Sequence, residues 1–564
     1  RLPNTYAWPL AIIGMATGSI VLSTTVSASL ERSAVDQAGY EAGADLRALP
    51  VDFNSGPRTV ILDRIRSIEG VMGASIGLRT IGGLRDGGYG APFEFLAIEP
   101  EEFSRIGILR DDYADKPIEE LLAGMATSNG FDSVLTSLQL VDDPDQVGLR
   151  MKASSSEEFV RLSLRLVDAV GRSWSVDLGS LTSTDWELRT GDVPEAAVRP
   201  VEIVGVVFFE QANDQLGTPM TVLVDDLIKV KTRAHDSATE SKTEAVVDFD
   251  DIEDWYPLAS IKGIDTVISS VVHNRTGQAG SAIQIELGAG TNRGVRGIVR
   301  TATELVPVLF STEAIEENDL SVGDRTVIHV FEQSIPARIV GELDYFPTMD
   351  LTQSGFVIAD SASLWAYLSM SSFNSAGFLE EMFIGLDNSG DEEVIAEISD
   401  AIGGIHAMID RDDLESNSLV TPLAIAGWRG AAIITSVLAV VLGVFGFITF
   451  APARPSGDHH KLAVLGSLGV RKSVLLAIVV GESVTVLVIG VGAGLAAGIF
   501  MARLAVDTTT QTTAIGAIVP PIQFSTEWTF IGVLVSGLVL AVVAIVTCDY
   551  IALRRINLAG ATKG

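Results

Sequence analysis

The sequence predicts an α+β membrane protein: four transmembrane helices, one followed by three (1+3), with a large external α/β and β-sandwich domain between the first and the second. Three observations carry this. Hydrophobic residues make up 47% of the 564 and charged residues only 20%, below the roughly 25% of an ordinary soluble domain. The apolar excess is gathered into a few nearly charge-free runs. The acidic excess, a formal net charge of −33, falls between the first of these runs and the second.

The first helix is expected within residues 1–30, because no charge separates Arg1 from Glu31 and Ala7 to Leu30 spans about 30 Å of hydrocarbon at about 1.5 Å per residue. The apolar stretch of a secretory signal is only about 7–15 residues, so a retained helix is expected. The chain begins on Arg1 rather than Met, which points to an N-terminus that was trimmed or continues upstream. The second helix is placed at 426–453, charge-free from Gly430 to Ala453. The third lies at 473–503, where Glu482 is the only acid, and the fourth at 527–552, charge-free from Trp528 to Cys548.

Orientation follows from the short loops. Arg454, Lys461, Arg471 and Lys472 lie in the loop at 454–472, and Arg554, Arg555 and Lys563 lie at or near the tail at 553–564, whereas the loop at 504–526 has no Lys or Arg. The positive-inside rule therefore places the first loop, the tail and the N-terminus in the cytoplasm, and residues 31–420 with 504–526 outside. Of the 39 basic and 72 acidic residues, 29 and 67 fall within 31–420, a net of −38 for the outer domain. Such a charge repels phosphate backbones, so no nucleic-acid partner is expected. With nine lysines against 30 arginines, the surface suits either a salt-rich habitat or a merely acidic external domain.

Within the outer domain, Glu31 to Tyr40 continues the first helix and Gly43 to Leu49 forms a strand. An amphipathic helix opening at Pro57 and Arg58 carries Val60, Ile61, Ile65 and Ile68 on one face, and strands follow at Gly70–Thr80 and Pro92–Ile98. Period-two alternation across Asp132–Leu181 and again at 199–208 predicts an inserted β-rich lobe over 131–298, of sandwich type. Residues 209–260 are the least regular part. After the insertion come a strand (VPVLF), a short acidic helix (TEAIEEN), a turn at 322–324 and two strands ending at Tyr345. A strand at Glu381–Asp387 and a helix at Asp391–Ile402 close the domain.

Few groups have the spacing of a catalytic or metal site, and no catalytic, cofactor or metal residue is assigned. Gly73, Ser75 and Gly77 match G-x-S-x-G, but they sit in a strand-like run with no helix after it. The six histidines make no ligand or triad spacing. The acidic run Asp248 to Asp254 lacks the glycine of an EF-hand loop and reads as a solvated acidic loop. Asn274 to Thr276 is a single glycosylation sequon. One cysteine, Cys548, excludes an intramolecular disulfide. No G-x-x-x-x-G-K-[ST] occurs, so a nucleotide bound in a P-loop would belong to a partner.

Small residues recur every four positions in two of the predicted spans: Gly14 and Gly18 in the first, Gly490, Gly494 and Gly498 in the third. Glycines at this spacing let two membrane helices approach closely. Glu482, about ten residues into the third span, costs about 2.5–3.5 kcal/mol in hydrocarbon, so it needs a partner or a route to the interface.

Between the second and third spans, Leu462, Leu465 and Leu468 share a face of a short interfacial helix whose basic end is Arg471 and Lys472. Here the chain resembles the FtsX/MacB-type permeases of ATP-binding cassette transporters, whose coupling segment reads roughly E-[FIL]-A-[VI]-L-[RK]-[AS]-[LI]-G. The match is Leu462-Ala463-Val464-Leu465, then Ser467-Leu468-Gly469, with Lys461 at the usual Glu and Gly466 at the usual basic position. Glu482 matches a Glu that the family often shows early in the next helix, and Leu30 to Tyr40 followed by Gly43 to Arg47 looks like the start of the family's external domain. The resemblance implies a porter-like lobe in two parts, 31–130 and 299–425, and a cytoplasmic coupling helix at 454–472 that includes Lys461, Leu462, Leu465, Leu468, Gly469, Arg471 and Lys472. It also implies a transport subunit rather than an enzyme, binding no cofactor itself. A separate ATP-binding cassette ATPase would use ATP and Mg, and a second permease copy or a homologous permease, the lipid bilayer and an external binding protein would be the other partners. Its substrate would be lipidic, peptide or drug-like, or its outer domain would activate an external partner. The alternative from a different class is a membrane-anchored receptor, adhesion or structural module without energy coupling.

Overall fold

The computed structural model describes residues 4–51, 58–84, 92–126, 138–140, 143–169, 172–210, 219–235, 238–247, 249, 255–258, 267–275, 278–287, 296–300, 305–331, 333–349, 355–368, 379–403, 406–417, 421–450, 470, 472–511 and 519–555. It divides into a helical unit, residues 1–38 with 413–564, and a sheet unit, residues 39–412. The first helix, α1 (Asn4–Ala42), contributes to both.

The sheet unit begins with β1 (Leu46–Leu49), α2 (Arg58–Arg66), β2 (Val71–Leu84), β3 (Pro92–Ile98), α3 (Pro100–Ile106) and α4 (Ile118–Met125). The sequence pattern gives no expectation for α3 and α4, because seven or eight residues are too few to show a helical period. A long insertion follows: β4 (Leu138–Gln139), β5 (Gln146–Ala153), β6 (Glu157–Asp168), β7 (Ser173–Leu181), β8 (Glu187–Asp192) and β9 (Val201–Glu210), then β10 (Met220–His235), β11 (Ala238–Val247), β12 (Trp255–Pro257), β13 (Val267–Arg275), β14 (Gln278–Leu287) and β15 (Arg296–Arg300). The chain then returns through β16 (Val306–Ser311), α5 (Thr312–Glu317), β17 (Arg325–Val330), β18 (Gln333–Leu343), β19 (Phe356–Asp360), α6 (Ser361–Leu368), β20 (Leu379–Leu386), α7 (Glu392–Ile402), β21 (Ala407–Asp410) and α8 (Arg411–Asn417).

Strands from both sides of the insertion make one mixed nine-stranded sheet, ordered β17-β18-β16-β19-β3-β2-β20-β1-β21. β16 runs parallel to β18 and β19 parallel to β3. β17 also pairs with the far end of β2, through Ile328 opposite Leu84, so six of the nine strands close into a ring. The ring is filled by Leu78, Phe93, Phe95, Val308, Phe310, Ile328, Ile335 and Ile339, all buried. A second core, with Leu46, Ile76, Met382 and Ile384 of β1, β2 and β20, packs on Ile61, Leu62 and Ile65 of α2 and Ile398 of α7. These α2 residues are spaced by three and four positions, the stripe expected of a helix lying on a sheet.

The insertion forms two further sheets, β13-β14-β10-β5-β8 with β11 beside β10, and β12-β15-β9-β6-β7 with β4 beside β9. Their facing sides share one core, including Val147, Leu149, Met151, Leu162, Leu164, Leu166, Val222 and Ile285. Leu162, Leu164 and Leu166 alternate along β6 as sheet-on-sheet packing requires. The irregular-looking stretch at 209–260 departs from the sequence pattern: β10 and β11 form a long hairpin from Leu227–Val247 to His235–Ala238. Among the described residues its outer half pairs only within the hairpin, and the sequence there, rich in Lys, Thr, Glu and Ser, has no apolar alternation to read. Asp248 and Asp250–Asp254 of the acidic run lie outside the described residues, as does Thr276 of the sequon.

The helical unit holds α1 up to Ala38, α9 (Thr421–Phe450), α10 (Lys472–Gln511) and α11 (Trp528–Arg555). Two described stretches, Leu10–Ala42 and Val480–Val506, are long and apolar enough to cross a membrane; Gly430–Phe445 and Trp528–Ala544 are shorter apolar runs. Because Phe310 lies at the centre of the ring core, Phe310→Ala is expected to cost about 3–5 kcal/mol in urea unfolding of the full chain. A loss under 1 kcal/mol would mean that the ring is not the core of this unit.

Candidate functional site

The helical unit is held together by small residues. On α10, Gly490, Gly494 and Gly498 face α1, where Gly14 and Gly18 lie. An added Cβ at Gly494 would sit 2.5 Å from the Gly14 carbonyl oxygen, and one at Gly498 would sit 2.8 Å from that of Gly18. At Gly490 it would meet Ile13 Cγ2 at 2.9 Å. At Gly18 the nearest atom would be the Gly494 oxygen at 3.3 Å, and at Gly14 the Gly490 oxygen at 3.6 Å, an ordinary contact. The α10 glycines therefore set the approach of the two backbones, and Gly14 could bear a methyl group. Ile13 adds an apolar cluster with Val486 and Leu487 of α10 and Val542 of α11, while Ala16 and Ile20 pack on Ala439 of α9.

Hydroxyls supplement this packing. Ser23 Oγ lies 3.4 Å from Ser436 Oγ of α9, and Ser29 Oγ both donates to the Ser525 carbonyl at 3.2 Å and accepts from the Ser525 N–H at 3.0 Å. Thr24 donates back to the Ile20 carbonyl at 2.7 Å, which hides its hydroxyl inside α1. In contrast, the outward faces of α9, α10 and α11 are apolar, with Ile434, Leu442, Phe445, Val488, Phe500, Val533 and Leu540 exposed. An exposed apolar surface of this kind marks a face for lipid or for a partner.

The last turn of α1 belongs to the sheet unit and is anchored there. Tyr40 donates its hydroxyl to the Met349 carbonyl at 2.9 Å, and its backbone carbonyl accepts from the Thr348 N–H at 2.7 Å. Gly43, at φ +80°, stops the helix in a left-handed turn where a side chain would collide with Thr348 and Phe383. Beside this turn is a buried network of two arginines and two glutamates. Arg47 Nε donates to Glu381 at 2.6 Å, and Arg79 donates to Glu381 at 3.0 Å, to Glu94 and to Thr348 Oγ1 at 2.6 Å. Burial outweighs Glu381 and lowers Arg47 below the usual guanidinium range. At Arg79 burial acts in the same direction, but Glu381 and Glu94 outweigh it and raise the group. Glu381 thus pairs with both arginines and Glu94 with Arg79.

Of the residues singled out by the sequence, the structure brings Gly14, Gly18, Gly490, Gly494 and Gly498 together. Lys461, Leu462, Leu465, Leu468, Gly469 and Arg471 of the coupling segment lie outside the described residues, and Lys472 is the first residue of α10. Glu482 stands on an exposed face of α10, nearly three turns in. Ser75 is inside β2, away from any strand-to-helix turn. The Arg47–Arg79–Glu94–Glu381 network was missed; its signal is a lone charge within each of the otherwise apolar β1, β2 and β3, and the Glu380-Glu381 pair in β20. Overpacking costs about 1–3 kcal/mol, so Gly494→Val should lower the unfolding free energy of the helical unit by that amount. Gly492→Val, where an added Cβ meets nothing within 4 Å, should stay within about 0.5 kcal/mol. Equal effects of the two in a thermal-shift series would contradict the packing account.

No curated protein matches the chain. Residues 433–558, which run from α9 through the coupling segment and α10 to the end of α11, match the family model described as FtsX-like permease C-terminal. Over this stretch the chain is similar to FtsX-like permeases, in agreement with the FtsX/MacB-type resemblance read from its coupling segment, and with its apolar helices the match points to a membrane protein.

Proposed function

We propose that the chain is the permease subunit of an ATP-binding cassette system and transmits ATP-driven motion across the membrane. The observation that carries this reading is the family match over 433–558, the stretch that contains the coupling segment. The helices α1, α9, α10 and α11 cross the membrane, with residues 31–420 and 504–526 outside and the coupling helix at 454–472 inside. Permeases of this kind work with a separate ATPase, which uses ATP and Mg and docks on Leu462, Leu465 and Leu468. A second permease copy, identical or homologous, completes the transporter.

In this mechanism the ATPase displaces the coupling helix, and α10, which begins at Lys472, follows it. Because Gly490, Gly494 and Gly498 leave no space between α10 and α1, α1 moves with α10. The last turn of α1 carries the motion to the sheet unit through Tyr40 and Gly43. That unit then expels a lipidic, peptide or drug-like substrate or activates an external partner. Glu482, near the start of α10, links the coupling helix to the third span through a group whose position differs between resting and ATP-bound states.

Replacing Leu465 and Leu468 together by Asp should abolish permease stimulation of the ATPase in proteoliposomes while the sheet unit keeps its unfolding midpoint. Glu482→Gln should assemble normally and lower ATP-coupled activity. A chain that never stimulates an ATPase in either form would instead be a receptor, adhesion or structural module, a reading the family match does not favour.

A further inference from the structure

β6 directs Leu162, Leu164 and Leu166 into the sandwich core and turns Ser163, Arg165 and Val167 to the opposite face. On that face Val167 joins Val204, Val207 and Val299 in the core they share with Trp365 and Leu368 of α6. Arg165 thus lies at the seam between the sandwich and the mixed sheet, and only 5% of it is exposed. Its Nε has no hydrogen-bond partner, and no carboxylate faces it among the described residues. Burial alone pushes its guanidinium down to about 10, so it is still a cation at neutral pH. The other deeply buried guanidinia of this unit that we have described, Arg47 and Arg79, are answered by Glu381 and Glu94. The acids beside Arg165 in sequence and register are engaged elsewhere: Asp168 accepts from Arg172, from Trp174 Nε1 and from the Val198 N–H, and Asp177 is paired with Arg161.

A buried cation with no counter-charge among the described residues costs several kcal/mol, which a negative charge from outside the chain would offset. We propose that Arg165 holds a small inorganic anion, chloride, at the seam between the β-sandwich and the mixed sheet. The register places two small residues beside Arg165. Opposite Arg165 on β9 is Gly205, which has no side chain, and opposite it on β7 is Ser175, an exposed hydroxyl at the solvent edge of the seam. Val167, Val204 and Val207 make the buried side of this face apolar. The net charge of −38 over residues 31–420 repels multivalent anions more than monovalent ones. Salt screens that repulsion, so the site fills as salt rises and fastens the two layers when it does.

The test uses the full chain in lipid nanodiscs at fixed ionic strength, with sodium chloride exchanged stepwise for sodium gluconate. The parent's unfolding midpoint is expected to be about 2–4 °C higher in chloride and to saturate. Arg165→Met should show no chloride increment and should be at least as stable as the parent in gluconate, because the uncompensated charge is gone. The same chloride increment in both proteins, or none in the parent, would overturn the proposal. Should Arg165→Met fail to fold, crystals of the parent grown in bromide decide the matter. An anomalous peak within hydrogen-bond distance of the Arg165 guanidinium supports the site, and its absence there overturns it.

Discussion

Direct backbone contact between α1 and α10 is the constraint on which the helical unit depends. Lipid tails are as apolar as the side chains of these helices, so no hydrophobic gain drives the helices together, and cohesion must come from close van der Waals contact and buried hydroxyls. Three glycines at spacing four on α10 supply the first, and Ser23, Ser29 and Ser436 contribute to the second. A pair packed this closely cannot slide or part by small amounts, because even one methyl group at Gly494 would meet the Gly14 carbonyl. Such a pair is suited to carry displacement along the chain.

The sheet unit is held together by different means. Its mixed sheet takes strands from both sides of an insertion more than 160 residues long, so the first and last parts of the unit share one hydrogen-bonded sheet. The end of α1 is fastened to that unit by directional bonds through Tyr40 and by a glycine that leaves Thr348 and Phe383 no room to shift. Next to it, Arg47, Arg79, Glu94 and Glu381 fix the register of four strands. A buried charge network of this kind adds little net stability and is intolerant of misplacement, which favours one arrangement over near alternatives.

Much of this was legible in the sequence where a pattern is local. The uncharged runs mark α1 and α9 to α11, the spacing of Gly490, Gly494 and Gly498 marks a packing face, and the alternation of Leu162, Leu164 and Leu166 marks a sandwich strand. What escaped is non-local. The closure of β17 on β2 joins Ile328 to Leu84, and Arg47 meets Glu381 across 334 positions. The outer half of the β10–β11 hairpin has no apolar alternation in its sequence, so it carries no period to read. Arg165 reads as a solvent-facing residue of an amphipathic strand, and it is buried only because α6 and its neighbours cover that face.

The central claim is that α10 drives the sheet unit through α1. Its most direct test is a distance measured by electron–electron resonance between spin labels on α2 and β10 of the sheet unit, in proteoliposomes with the ATPase, before and after trapping the ATP-bound state. The account predicts that trapping shifts the distance in the parent and in Gly492→Val, and that Gly494→Val abolishes the shift while ATP is still bound. A full shift in Gly494→Val would show that motion reaches the sheet unit by another route.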